Sequence, residues 1–337
     1  MSKNSASIMF FFTLTSGVII TISSNSWLSA WMGLEINLLS FIPIMMNNDN
    51  IFTTEATLKY FLIQAVASST FLFLIVMEIL FKKFTIYYSP MLTIMISSPL
   101  MLKSGIAPLH WWFPSVMEGL SWNNCIILMT LQKIAPMILL SLLLNSTLLN
   151  VISLLSISIG AIGGINQLSI RKLLTYSSIN HVGWMLSALM IGENLWIYYF
   201  LLYSILTITL IFTFKTLNIS FINQIHMMNS NMWTSKFIML SSLLSMGGLP
   251  PFLGFLPKWI IIQTLINNHM TFQISIMVML SLITLFYYLR MCYSSFMILH
   301  SEPTWNLTFK NITSMMYPLL LTFTLIGFLM SSTIIFI

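Results

Sequence analysis

Gly105-Ile-Ala-Pro-Leu-His-Trp-Trp-Phe-Pro114 and Gly248-Leu-Pro-Pro-Phe-Leu-Gly-Phe-Leu-Pro257 are two versions of one pattern, with the glycine and both prolines in register and most positions between them apolar. Each lies inside a long apolar run. Proline inside a helix removes a backbone hydrogen bond and clashes with the preceding turn, so each copy reads as an interrupted helix. Matched interruptions in corresponding apolar segments are the mark of discontinuous membrane helices, whose freed backbone groups must be satisfied by protein or water near the membrane centre.

The rest of the chain supports a membrane setting. Of 337 residues, 58% are hydrophobic and 6% charged, against roughly a quarter charged in soluble domains. Apolar cores long enough to cross a bilayer, or nearly so, fall at 8–22, 27–46, 60–80, 91–113, 125–144, 151–165, 173–191, 195–214, 237–265, 274–299 and 319–337. The expected fold is therefore an all-α polytopic membrane protein of about eleven spans, without an extramembrane domain. The two broken segments lie in the fourth and ninth spans, an odd number apart, so the second copy enters from the opposite side as in an inverted repeat. The organisation expected is a single membrane domain over 1–337, with a first inverted unit over 1–146 broken near 105–114, a second over 147–300 broken near 248–258, and a loop and C-terminal helix over 301–337.

The net charge of +6 is spread over scattered lysines and arginines that flank spans. It forms no stripe for nucleic acid and no polybasic lipid patch. One side collects Lys3, Arg171, Lys172, Lys215, Lys236 and Lys310, the other mainly Lys82 and Lys83. By the positive-inside rule the N-terminus faces the cytoplasm-equivalent side and the C-terminus lies across the membrane. Trp27, Trp31, Trp111, Trp112, Trp196 and Trp233 mostly fall near span ends, where interface anchors belong. Abundant Met, Ser and Asn point to an AT-rich organellar genome, and no transit segment precedes the first span.

Four ionisable residues are out of place in lipid. Glu35, Lys103, Lys133 and Lys258 each fall within an apolar span, at roughly 2.5–3.5 kcal/mol apiece on insertion scales. Burial weakens a lysine's hold on its proton and a nearby carboxylate strengthens it, so a buried lysine with a movable acid is a switchable proton site. Glu35 is the one acid deep in a span, and Lys103, just ahead of the first break, is the natural partner beside the carbonyls of a half-helix C-terminus. Lys258 follows Pro257 and would sit in the first turn of a restarted helix, where the dipole opposes its charge. Lys59, at the start of the third span, snorkels to the interface or reaches Glu35. His110, beside the first break, is equally a relay or a packing residue. No phosphate loop, dinucleotide fingerprint, iron–sulfur cysteine run, metal-ligand spacing or nucleophile elbow is present. Proton movement in such a chain is driven by an ion gradient or by partner subunits.

Trp31-Met-Gly-Leu-Glu-Ile-Asn-Leu-Leu-Ser-Phe-Ile-Pro43, Glu55-Ala-Thr-Leu-Lys-Tyr-Phe61, Leu102-Lys-Ser-Gly-Ile-Ala-Pro108, Leu131-Gln-Lys-Ile-Ala-Pro136, Arg171-Lys-Leu-Leu-Thr-Tyr-Ser-Ser-Ile-Asn-His-Val-Gly-Trp184 and Gly247-Gly-Leu-Pro-Pro-Phe-Leu-Gly-Phe-Leu-Pro-Lys-Trp259 resemble, in order and over nearly the whole chain, the antiporter-like membrane subunits of respiratory complex I in their mitochondrially encoded animal form. The resemblance implies two inverted five-helix units, each with a broken helix, and a final helix. It implies a proton relay in which the family's glutamate falls on Glu35, its broken-helix lysine on Lys103, its central lysine on Lys133 and its far-channel residue on Lys258, with Lys59 and His110 secondary. It implies an inner mitochondrial membrane location with the N-terminus on the matrix side. It also implies a subunit of an NADH:ubiquinone reductase that holds no cofactor itself, the assembly using NADH, FMN, iron–sulfur clusters and ubiquinone. The implied partners are other membrane-arm subunits, lipid, protons and water, with no nucleic acid and no metal. A freestanding cation/proton antiporter of related fold, or a membrane-arm scaffold that pumps nothing, are the alternatives.

Overall fold

In the computed structural model, residues 3–47, 50–84, 90–143, 145–226 and 233–297 are described, and they fold as fourteen helices. The expected helix over 319–337 lies outside them. Seven segments among the described residues are long and apolar enough to cross a membrane: Ser5–Ser23, Trp27–Met45, Ile51–Leu80, Trp122–Ser141, Ser146–Ile165, Glu193–Leu217 and Thr271–Tyr293. The chain divides into two compact units, residues 1–156 and 157–337.

The first unit begins with α1 (Lys3–Ser23) and α2 (Trp27–Met45). They meet backbone to backbone, because a Cβ on Gly17 would stand 3.0 Å from the Gly33 carbonyl and one on Gly33 would stand 2.9 Å from the Gly17 carbonyl. Lipid supplies no hydrophobic drive between helices, so such small-residue contact is the main source of close packing. The other faces of both helices carry exposed Ile8, Met9, Phe12, Leu28 and Leu39, as lipid contact requires. α3 (Ile51–Phe84) packs against α2, α4 (Pro90–Ser104) and α5 (Trp112–Gly119). At 34 residues it is about 51 Å long and exceeds the hydrocarbon thickness of about 30 Å.

α6 (Trp122–Met129) and α7 (Leu131–Ser141) are two pieces of the expected fifth span, interrupted at Thr130. The hydroxyl of Thr130 donates back to the Ile126 carbonyl at 2.7 Å, and the Lys133 amide bonds the Thr130 carbonyl three residues back. Back-bonding of this kind bends membrane helices, and Pro136, which leaves the Gln132 carbonyl without its i→i−4 donor, lies one turn further on. α7 lies against α1, α4 and α6.

The boundary between the units falls within α8 (Ser146–Ile165), and the second unit is built on α9 (Ile170–Ile191), with α10 (Glu193–Leu217) and α13 (Phe255–Asn267) against it. α9 is buried from Leu173 to Leu189 apart from Tyr176. It carries Thr175, Ser177, Ser178, Asn180 and His181, and those polar residues keep it out of the seven apolar segments although protein surrounds it. The connection that follows α10 contains a short helix, α11 (Ile222–His226), tied to the start of α9 by Ile170 N–H to Ser220 O at 3.0 Å and Ile222 N–H to Leu168 O at 3.1 Å. α12 (Trp233–Gly247) and α14 (Thr271–Met297) complete the unit and pack on each other.

Candidate functional site

Both broken segments end their first half-helix in the same way. α4 closes with Gly105 at φ +70°, Ile106 N–H bonding Met101 O at 3.0 Å and Gly105 N–H bonding Leu102 O at 3.3 Å. α12 closes with Gly248 at φ +85°, Leu249 N–H bonding Leu244 O at 3.4 Å and Gly248 N–H bonding Ser245 O at 3.1 Å. Each is a Schellman close, a paired 6→1 and 5→2 arrangement whose left-handed residue favours glycine because a Cβ there is strained. The glycines therefore stop the helices. Pro114 and Pro257 have a different part from the expected one: each is the third residue of its restarted helix, α5 or α13, where the amide has no intrahelical acceptor and proline costs nothing.

At the first break, carbonyls released by α4 are taken by neutral donors. Trp112 Nε1 donates to Leu102 O at 3.0 Å, and Gln64 Nε2 from α3 donates to Lys103 O at 3.4 Å. Trp112 is thus buried packing and a hydrogen-bond donor, contrary to the anchor role expected of it; Trp31 likewise donates to Ser68 O at 3.1 Å and Trp196 is buried, while Trp111 is exposed. Lys103, in the last turn of α4, is 7% exposed, and its Nζ donates to no protein atom among the described residues. Glu35 is half-buried on α2, and no salt bridge joins it to Lys103 among the described residues.

Lys133 is the third residue of α7 and 2% exposed. Its Nζ stands 5.0 Å from the centroid of the Phe113 ring, a cation–π geometry that gains strength away from water. Phe113 also lies 3.4 Å from where a Gly105 Cβ would be. The ring therefore touches both the first break and the central lysine.

Lys258, 5% exposed, stands in the first turn of α13, and its side chain reaches back across the break so that Nζ donates to Gly247 O at 3.0 Å. The expectation that a helix N-terminus opposes its charge is incomplete. The ammonium is set against the carbonyl end of α12, which favours a cation.

The remaining candidates lie apart. Lys59 is 47% exposed and pairs with Glu55 one turn earlier at 2.6 Å, so its charge is spent there and not on Glu35. His110 is half-buried in the turn between α4 and α5, with Nδ1 3.2 Å from Pro108 O. Buried groups that the sequence did not single out are Asn37, Gln64 and Gln132 around Lys103, and Tyr199, whose hydroxyl is 2.8 Å from Nδ1 of His181. A run of amides in otherwise apolar segments was the available signal. Among the described residues no three His, Cys, Asp or Glu side chains group as metal ligands.

The model of the family described as NADH:quinone oxidoreductase/Mrp antiporter, transmembrane, matches residues 24–284. The chain belongs to this family. The family match spans both Schellman breaks and Glu35, Lys59, Lys103, His110, Lys133 and Lys258. Relatives include NADH-ubiquinone oxidoreductase chain 2 of Anopheles gambiae, 49% identical over 98% of this chain and 97% of that one. The Locusta migratoria protein of the same name is 46% identical over 92% of this chain and 91% of its own length. Among solved structures, respiratory complex I from Thermus thermophilus with bound aureothin superposes with a TM-score of 0.77 at 23% identity, covering 89% of this chain and 71% of that one. An archaeal membrane-bound sulfane sulfur reductase reaches 0.80 at 17%, covering 97% and 73%. These likenesses establish an antiporter-family fold.

Proposed function

We propose that the chain is a membrane-arm subunit of respiratory complex I in the inner mitochondrial membrane, translocating protons while the assembly passes electrons from NADH to ubiquinone. The observation that carries the proton role is the placing of a buried lysine at the carbonyl end of each of two matched helix breaks. The near full-length likeness to insect chains named NADH-ubiquinone oxidoreductase chain 2 supports the assembly. NADH, FMN, iron–sulfur clusters and quinone belong to neighbouring subunits; this chain contributes ionisable side chains.

Glu35 and Lys103 form the switch. Moving the carboxylate towards the ammonium holds the proton on Lys103, and moving it away loosens that hold, by an amount that grows as water is excluded. Lys133 is the central site and Lys258 the far one. Lys59 and His110 are secondary, Lys59 being engaged by Glu55. The matched breaks support an inverted pair of five-helix units over 1–146 and 147–300, about eleven spans in all with a loop and C-terminal helix over 301–337, the N-terminus on the matrix side and the C-terminus facing the intermembrane space.

Lys133→Met in the assembled complex tests the reading. The proton-to-electron ratio is expected to fall while the complex still forms; a ratio equal to the unmodified one makes the chain a scaffold. Purified chain that by itself exchanges Na⁺ or K⁺ for protons in liposomes would instead make it a freestanding antiporter.

A further inference from the structure

Asn37 on α2, Gln64 on α3 and Gln132 on α7 form a buried amide cluster at the end of α4, each no more than 9% exposed. Gln132 Nε2 donates to Asn37 Oδ1 at 3.0 Å, and Gln64 Nε2 donates to the Lys103 carbonyl at 3.4 Å. Primary amides offer two donors and an acceptor with two lone pairs, so these bonds leave the Oε1 atoms of Gln64 and Gln132 and the Nδ2 group of Asn37 with capacity to spare. Burying such groups without further partners is costly. They line, with Tyr60 and Lys103, a cavity of about 10 Å³. That is about the space one water centre occupies, and a buried water needs two to four polar partners. Lys103 lines the same cavity, and its ammonium, nine-tenths buried, donates to no protein atom among the described residues.

We propose that this cavity binds a single water held by Asn37, Gln64 and Gln132 against the Lys103 ammonium, with Gln132 as its positioning residue. The inference rests on the proton role assigned to Lys103 and adds the group that presents its partner. Gln132 immediately precedes Lys133 on α7. A displacement of α7 that carries Lys133 therefore also carries the amide that holds the Lys103 water, and Lys103 and Lys133 are linked through one residue pair on one backbone.

Two measurements on the intact complex test this. A water-resolving cryo-EM map is expected to show one solvent peak within hydrogen-bond reach of Lys103 Nζ and of Gln132 or Gln64. A Lys103 ammonium bonded directly to protein, with the cavity closed, overturns the proposal. Gln132→Leu, similar in size but without the amide, is expected to slow proton translocation about fivefold, the loss of a hydrogen bond to a neutral water. The paired swap of Asn37→Gln with Gln132→Asn keeps an amide pair across the same gap and is expected to restore most of that rate. A Gln132→Leu complex that assembles and pumps normally, or an assembled swap that restores nothing, refutes the positioning role. Gln132→Met serves in place of Gln132→Leu if the latter does not assemble, with the same two outcomes. Lys103→Met separates the levels: normal pumping there refutes the relay itself, whereas lost pumping there with normal pumping in Gln132→Leu refutes the water site alone.

Discussion

At the first break the carbonyls freed by α4 are taken by uncharged donors, Gln64 and Trp112, and Lys103 keeps its ammonium for other use. At the second, the Gly247 carbonyl is taken by the ammonium of Lys258 itself, eleven residues further along. The backbone closes are alike, so the difference lies in who caps the end. A lysine that caps a helix is part of the joint it sits on; a lysine whose joint is capped by others can answer to a distant carboxylate. Under the proposed relay, the responsive site belongs to the first unit and the anchored one to the second.

Steric substitutions produce the largest contrast. A Cβ on Gly254 would run into the Ser245 carbonyl, which is backbone and cannot swing aside. Gly254→Ala is expected to abolish assembly, measured as intact complex on native gels. Gly105→Ala meets Phe113 only at ordinary contact distance and pays for its left-handed backbone, about 1–2 kcal/mol, so that complex should form. Equal loss at both positions would remove the claim that the second joint is the tighter one.

Next come the lysines. Lys258→Met strips the cap from a buried carbonyl and should destabilise the detergent-solubilised complex by about 1–3 kcal/mol, read as a lowered Tm. Lys103→Met removes a buried ammonium that bonds nothing in the protein and should leave Tm unchanged or raised. Matching losses at the two sites would break the comparison. Trp112→Phe keeps the ring and deletes the indole N–H on Leu102 O, for about 1 kcal/mol. Smallest of all, Lys59→Gln cuts an exposed pair one helical turn long and should shift stability by no more than ~0.5 kcal/mol.

Much of this was open to sequence reasoning because membrane helices announce themselves by apolarity and their interruptions by Gly and Pro. α9 was legible as the span over 173–191, but the burial of Asn180, His181 and its hydroxyl residues was not, because it depends on which helices surround them. The interruption at Thr130 escaped entirely, since a threonine bonding its own i−4 carbonyl looks like any other threonine in a list of letters. Three buried lysines could be found from their cost, but the direction taken by Lys258 could not: a four-carbon stem reaches forward or back with equal ease. Nor could the pairing of Asn37 with Gln132, 95 residues apart, which needs α2 and α7 to be neighbours first.

The paired hydrogen bonds that finish α4 and α12 are each formed within a single half-helix. A finished end behaves as one side of an articulation. The segment beyond it can pivot without any backbone bond of the half-helix being torn, so the work of bending falls on side chains alone: Trp112 and Gln64 at one joint, Lys258 at the other. Such a joint translates the rotation of one stiff rod into a rearranged handful of contacts around a proton-bearing nitrogen, which is the kind of small, repeatable stroke that a machine cycling many times can sustain.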